Sequence, residues 1–216
     1  MVAKLTGRQA SQVSLEICAQ IRVIPVLSVT EIEDASPLAQ ALIEGGLNVF
    51  EVTLRTPNAF GVIKEMSKVK GSIVGVGTLR CRQDVEMAIE VGAKFGVSPG
   101  VTDDLVLACE EFGLPLIGGV SSVSEIMKML SRGYTFLKFF PAEVSGGVTA
   151  LNAISGPLPD ALFFPTGGVS VRNAKEYLAL KNVVCVGGSW IAKPKMIREK
   201  NWAEISKQAN LASMLG

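Results

Sequence analysis

The 216-residue sequence contains no histidine. That absence removes Ser-His-Asp and Cys-His nucleophile pairs and histidine-ligated catalytic zinc, leaving acid–base work to Asp, Glu, Lys, Tyr, Cys or water. The four cysteines (Cys18, Cys81, Cys109 and Cys185) lack C-x-x-C spacing, which argues against a zinc site or a disulfide framework and for a reducing, cytoplasmic setting. Neither sign of charge is in excess. With 21 basic and 20 acidic residues the formal net charge is +1, which gives no reason to expect a nucleic-acid or membrane surface. No apolar run reaches the ~18 residues of a membrane span, and the stretch from Met1 to Gln20 is too polar and charged for a signal peptide. A G-x-x-x-x-G-K-S/T loop is missing, which argues against a nucleoside triphosphate. So is a G-x-G-x-x-G after the first apolar run, which argues against an open dinucleotide-binding sheet.

What is present is core material and rhythm. Hydrophobic residues make up 48% of the chain and charged residues 19%, ample for a sizeable core with no sign of disorder. Eight short apolar runs rich in Val, Ile and Phe recur: Val23–Val29, Val49–Leu54, Ser72–Thr78, Phe95–Pro99, Pro115–Ile117, Phe136–Phe140, Ala161–Pro165 and Val183–Val186. Between them lie amphipathic segments such as 37–45 and 84–92, each ending in a glycine suited to a left-handed cap. Thr102 or Asp103, Ser122 and Ser170 are candidate N-caps. Eight strand-like runs spaced by helices, each run apolar on both faces, predict an α/β fold: a (β/α)8 TIM barrel. An extra amphipathic helix over about residues 8–22 precedes a barrel that begins near Val23. With no linker or composition shift, residues 1–216 are expected to form a single domain.

Polar residues inside such strands carry the functional signal. Phe136-Leu137-Lys138-Phe139-Phe140 is apolar except at Lys138. An ammonium among phenylalanines loses hydration, which disfavours its charged form, and a neutral amine is a nucleophile able to form a Schiff base with a ketone. The plain alternative is a strand-end lysine that snorkels into water. Strand parity puts Val49, Glu51, Thr53 and Arg55 on one face of the second run, and Phe136, Lys138 and Phe140 on one face of the sixth. If both faces point inward, Glu51 and Lys138 meet across the lumen as proton shuttle and nucleophile. The alternative for Glu51 is a structural salt bridge to Arg55 or Lys138. Two glycine-rich loops, Pro165-Thr166-Gly167-Gly168 and Gly187-Gly188-Ser189-Trp190, follow the seventh and eighth runs, where barrels commonly bind phosphate through backbone N–H groups. Tight turns that merely need glycine are the rival reading. Gly77-Thr78 places a hydroxyl at the end of the third run, a weak signal by itself.

Taken jointly, six motifs closely resemble the 2-keto-3-deoxy-6-phosphogluconate (KDPG) aldolase family, which also includes 4-hydroxy-2-oxoglutarate (KHG) aldolases. They are Glu51-Val52-Thr53-Leu54-Arg55-Thr56, Gly77-Thr78, Val97-Ser98-Pro99-Gly100, Lys138-Phe139-Phe140-Pro141-Ala142-Glu143 and the two glycine loops. The match runs in order from about Val23 to Trp190. The resemblance implies a cytoplasmic class I lyase of the Entner–Doudoroff route, a homotrimer without cofactor or metal. Its small-molecule partners would be a phosphorylated 2-keto-3-deoxy sugar acid, pyruvate and glyceraldehyde 3-phosphate. It assigns Lys138 to the Schiff base, Glu51 to acid–base work, Arg55 and Thr78 to the pyruvate carboxylate, and Pro99 and Phe140 to the pocket wall. Thr166, Gly167, Gly168, Gly188 and Ser189 go to the phosphate. The lack of histidine agrees, because metal-dependent aldol cleavage commonly leans on histidine ligands.

Three departures from the family pattern stand out: Gly96, Gly118 and Leu79-Arg80-Cys81-Arg82. The two glycines are expected to loosen packing near the barrel mouth, at about 1 kcal/mol each, and so to bear on substrate tuning. Two further aldolase readings remain, a 4-hydroxy-2-oxoglutarate aldolase and a 6-phosphogalactonate type, the latter disfavoured by Arg55. A non-catalytic phosphate-binding barrel with a structural Lys138–Glu51 pair is the alternative of another class.

Overall fold

The computed structural model describes residues 3–215. Strands β1 (Val23–Leu27), β2 (Val49–Thr53), β3 (Ile73–Gly77), β4 (Phe95–Val97), β5 (Leu116–Ile117), β6 (Gly119–Val120), β7 (Phe136–Phe139), β8 (Leu162–Pro165) and β9 (Val186–Gly188) pair in parallel. Helices α1 (Gly7–Cys18), α2 (Ala35–Glu44), α3 (Ala59–Met66), α4 (Arg82–Glu90), α5 (Asp103–Phe112), α6 (Val123–Ser131), α7 (Gly147–Ser155), α8 (Ala174–Leu178), α9 (Pro194–Arg198) and α10 (Trp202–Ser213) complete the described chain.

The hydrogen-bonded order β5-β4-β3-β2-β1-β9 and the order β6-β7-β8 close on each other at two joints. At the first, β5 and β6 are two halves of one strand interrupted at Gly118, whose carbonyl accepts from Lys138 N at 2.9 Å. At the second, Val183 bridges Phe163, and Val184 N donates to the Phe163 carbonyl at 3.0 Å. The result is an α/β barrel with eight strand positions, matching the eight apolar runs.

Alternation along each strand sorts side chains into two cores. Phe50, Val52, Leu137, Phe139 and Phe163 face outward into the layer between strands and helices. Ile24, Val49, Phe95, Val97, Ile117, Phe136, Phe164 and Cys185 face the lumen, and Cys18 at the end of α1 joins them from below. Thus α1 plugs the N-terminal mouth of the barrel. Thr6 and Gln9 form a capping box at its start. It stops at Cys18 rather than near residue 22, because Ile21 belongs to the link that carries the chain into β1, its N–H bonding the Cys18 carbonyl.

Local signals fared unevenly. Thr102, not Asp103, caps α5, and Ser122 caps α6 in a box with Glu125. Ser170 caps nothing. The next helix starts at Ala174, and Asn173 folds back so that its Oδ1 accepts from Ser170 N at 2.7 Å while its amide donates to the Gly168 carbonyl at 3.2 Å. Gly92 is left-handed as expected, but Gly45 is not: its φ is −78°, and Gly46 makes the turn at φ +89°. Gly45 is small for another reason, since a Cβ there would collide with Ala209 and the Ser206 carbonyl of α10. Gly96 and Gly118 also correct an expectation. Both face the helix layer, where a Cβ would meet Leu79 and Leu114 in one case and Val101 and Met129 in the other. Neighbours already fill that space, so neither glycine loosens the mouth.

Candidate active site

The C-terminal ends of the strands surround a cavity of about 240 Å³. Glu51 enters it from β2 and Lys138 from β7, as parity requires. Nζ of Lys138 lies 3.5 Å from Glu51 Oε1, with the two side chains only 8% and 1% exposed. At that separation the contact is at the outer limit of a hydrogen bond. The second carboxylate oxygen, Oε2, is buried with no partner. A buried carboxylate half-engaged beside a primary amine is poorly explained as a structural ion pair, which stabilises only when its remaining lone pairs are satisfied. Nζ of Lys138 also sits 5.1 Å from the centroid of the Phe140 ring.

Space for the carboxylate comes from β3. A Cβ on Gly77 would lie 2.7 Å from Glu51 Cδ and closer still to Oε1. Only glycine lets the two strands carry these groups at one level. The residue after it, Thr78, adopts φ +69°. A β-branched residue in the left-handed region is strained by roughly 1–2 kcal/mol, and such strain gathers at functional sites.

Arg55 and Thr78 stand in the wall with Pro99 and Phe140, and Thr166, Gly167, Gly168 and Ser189 line it as well. Gly167 and Gly168 have φ +91° and +86°, which make glycine necessary. Thr166 is 4% exposed, and its buried Oγ1 has no hydrogen-bond partner. Behind this loop Glu143 N donates to the Gly167 carbonyl, and Glu143 Oε1 accepts from the Tyr177 hydroxyl. Burial, reinforced by the Glu143 carboxylate, pushes the Tyr177 phenol up, so it stays a donor. This brace was not anticipated, although Glu143 stands in one of the family motifs.

Gly188 does not line the cavity. It pairs with Pro25 on the outward side, and a Cβ there would meet Trp190 and Val23. Gly187, paired with Ile24, lines the cavity instead. The signal was available: parity from Cys185 picks out Gly187 and Ser189. Parity likewise leads from Ile24 to Val26, which also lines the wall, as do Thr53 and Val169. Among the described residues no group of three or more Cys, Asp or Glu is placed to hold a metal ion, and no helix is long and apolar enough to cross a membrane.

Comparison with known proteins places the chain in a family. A family model described as "KDPG and KHG aldolase" matches residues 15–208. The chain is 46% identical over 200 residues to the 2-dehydro-3-deoxy-phosphogluconate aldolase of Pseudoalteromonas atlantica, covering 92% of this chain and 93% of that one. It is also 46% identical over 191 residues to the KHG/KDPG aldolase of Escherichia coli K12, covering 88% and 90%. Among solved structures, the KDPG aldolase of Legionella pneumophila, with pyruvate captured as a covalent carbinolamine, superposes with a TM-score of 0.89. That pair is 44% identical over 92% of this chain and 97% of the other. A family match across most of the chain and relatives this similar over nearly their whole length place it: the chain belongs to the KDPG and KHG aldolase family.

Proposed function

We propose that this chain is a class I aldolase that cleaves 2-keto-3-deoxy-6-phosphogluconate to pyruvate and glyceraldehyde 3-phosphate, with Lys138 as nucleophile and Glu51 as proton shuttle. The observation that carries the assignment of roles is the buried Lys138–Glu51 pair, held 3.5 Å apart in one cavity. Neutral Lys138 attacks the C2 ketone. Glu51 supplies the proton that lets the carbinolamine hydroxyl leave as water, giving a protonated imine. Glu51, now a carboxylate, takes the proton of the C4 hydroxyl, and the C3–C4 electron pair moves into the imine as the aldehyde departs. Glu51 returns that proton to C3 of the enamine left on Lys138, and water attack on the resulting imine releases pyruvate and the free amine, with the proton lost by water going back to Glu51.

The other residues fit the two ends of such a substrate. Arg55 and Thr78 suit the carboxylate next to the ketone. Thr166, Gly167, Gly168 and Ser189 suit the distal phosphate, through backbone N–H groups and the exposed Ser189 hydroxyl. Four free cysteines suit a cytosolic enzyme.

Borohydride trapping tests the chemistry. Incubation with pyruvate and sodium borohydride should leave a reduced adduct on the Lys138 peptide. A folded protein that gains no mass there would sink the Schiff-base reading. Because the Escherichia coli relative is named for both substrates, KHG cleavage is the second activity to assay. The glycine loop would have no phosphate to hold, so a kcat/KM lower than for KDPG is expected.

A further inference from the structure

One hydroxyl in the cavity wall has no part in the steps above. Thr53 lies on the same face of β2 as Glu51 and is 2% exposed. Its Oγ1 donates to the Leu27 carbonyl of β1 at 2.8 Å. A hydroxyl has one proton, so its other contacts must be accepted ones. They come from Arg55 Nε–H at 3.0 Å and from the Ser28 hydroxyl at 3.0 Å, which is therefore the donor. Every bonding direction of Thr53 Oγ1 is used, and the backbone of β1 sets the orientation.

The consequence falls on Arg55, a long side chain at the exposed rim that joins none of the ion pairs among the described residues. A guanidinium has two edges able to grip a carboxylate: Nε with one terminal nitrogen, or the two terminal nitrogens together. With Nε held by Thr53, the terminal pair is the edge left for a substrate. Fixing a flexible side chain before the ligand arrives also lowers the entropy lost on binding.

We propose that Thr53 is a positioning residue of the aldolase reaction: it engages Arg55 Nε, with Ser28 and the Leu27 carbonyl holding Thr53 in turn, so that Arg55 presents its terminal nitrogens end-on to the keto-acid carboxylate. The inference rests on Arg55 being the carboxylate anchor. A purely structural Thr53 would affect stability alone, whereas a positioning Thr53 alters saturation by keto acid.

The test measures the pyruvate concentration for half-maximal borohydride trapping of Lys138, together with KM and kcat for KDPG cleavage. It compares Thr53→Val, Thr53→Ser, Arg55→Met and the Thr53→Val/Arg55→Met double variant. Thr53→Val should raise half-saturation and KM about tenfold, the scale of one charge-assisted hydrogen bond, with kcat within about threefold. Thr53→Ser should restore both values, and Thr53→Val should add nothing once Arg55 is Met. An unchanged KM in Thr53→Val, or an equal rise in the Arg55→Met background, overturns the proposal while leaving the anchor reading intact. An Arg55→Met enzyme that saturates like the wild type overturns the anchor reading and the proposal with it. Should Thr53→Val fail to fold, Thr53→Cys carries the same test, because its sulfur is a weak acceptor.

Discussion

The two ends of the barrel are built from the same strands and behave as different materials. At the N-terminal end Val49, Phe95, Phe136, Phe164 and Cys185 fill the lumen with apolar side chains, and α1 closes it, its buried Ser11 accepting from Phe136 N at 3.3 Å. Even the thiols act as apolar filler: burial, then the adjacent Cys18, push the Cys185 thiol up, so it stays neutral. One inward step further along, the same strands present Glu51 and Lys138, and one step beyond that Thr53 and Phe140 at the mouth. The floor supplies stability and a dry base. The layer above concentrates ionisable and polar groups and leaves Glu51 Oε2 and Thr166 Oγ1 unpartnered, where the floor leaves only the single neutral hydroxyl of Ser14 on α1. A half-satisfied polar layer costs stability and is tolerable only above a floor that over-determines the strand positions.

The largest expected effect breaks the mouth and spares the floor. Lys138→Met should abolish borohydride trapping and lower turnover by about 10,000-fold or more, the scale of losing a covalent nucleophile, while thermal unfolding stays cooperative. Residual turnover near wild type would show that the amine is not the nucleophile. Glu51→Gln follows. It keeps the side-chain shape, so the adduct should still form on Lys138, more slowly, with kcat down roughly 100- to 10,000-fold. A wild-type trapping rate would remove Glu51 from carbinolamine dehydration.

The sharpest comparison uses two glycines of one strand. Gly75 and Gly77 share a face of β3, one level apart, and each is hydrogen-bonded in the same register to β2. A Cβ on Gly75 would overlap the Phe95 ring of the floor, and one on Gly77 would overlap the Glu51 carboxylate. Gly75→Ala should therefore lose about 1–3 kcal/mol in denaturant unfolding through overpacking, with activity per folded molecule nearly kept. Gly77→Ala should cost about 100-fold in kcat, as a displacement near 1 Å of a catalytic group does, with a smaller loss of stability. The reverse pattern would show that floor and site are one cooperative layer.

This pair also marks how far the sequence could be read. Period-two alternation alone grouped Glu51 with Val49 and Thr53 and Lys138 with Phe136 and Phe140, faces that the barrel turns to the lumen, and the eight runs fell on the eight strand positions, because both patterns depend only on local order. Which glycine serves which purpose does not. Gly77 is small because of a carboxylate 26 residues earlier, and Gly45 because of a helix more than 150 residues later. Such facts depend on pairing between distant segments. Ser170 looked like a cap for the same reason in reverse: the local pattern was right, but Asn173 had been drawn back to brace the Gly168 loop.

The smallest effect sits where the mouth holds its strain. Thr78 keeps φ +69° although glycine would adopt it freely. Relief of roughly 1–2 kcal/mol in Thr78→Gly is offset by about 0.5–1 kcal/mol of added freedom in the unfolded chain. The net gain should be somewhat under 1 kcal/mol, a rise in melting temperature of about 1–3 °C for a chain of this size. Affinity for pyruvate should fall as the hydroxyl is lost, so stability and function move in opposite directions at one residue. A floor position gives no such split, since trimming a buried ring there lowers stability outright. If the melting temperature of Thr78→Gly drops, the threonine is holding the strand end in place, and the mouth stores no strain for its substrate.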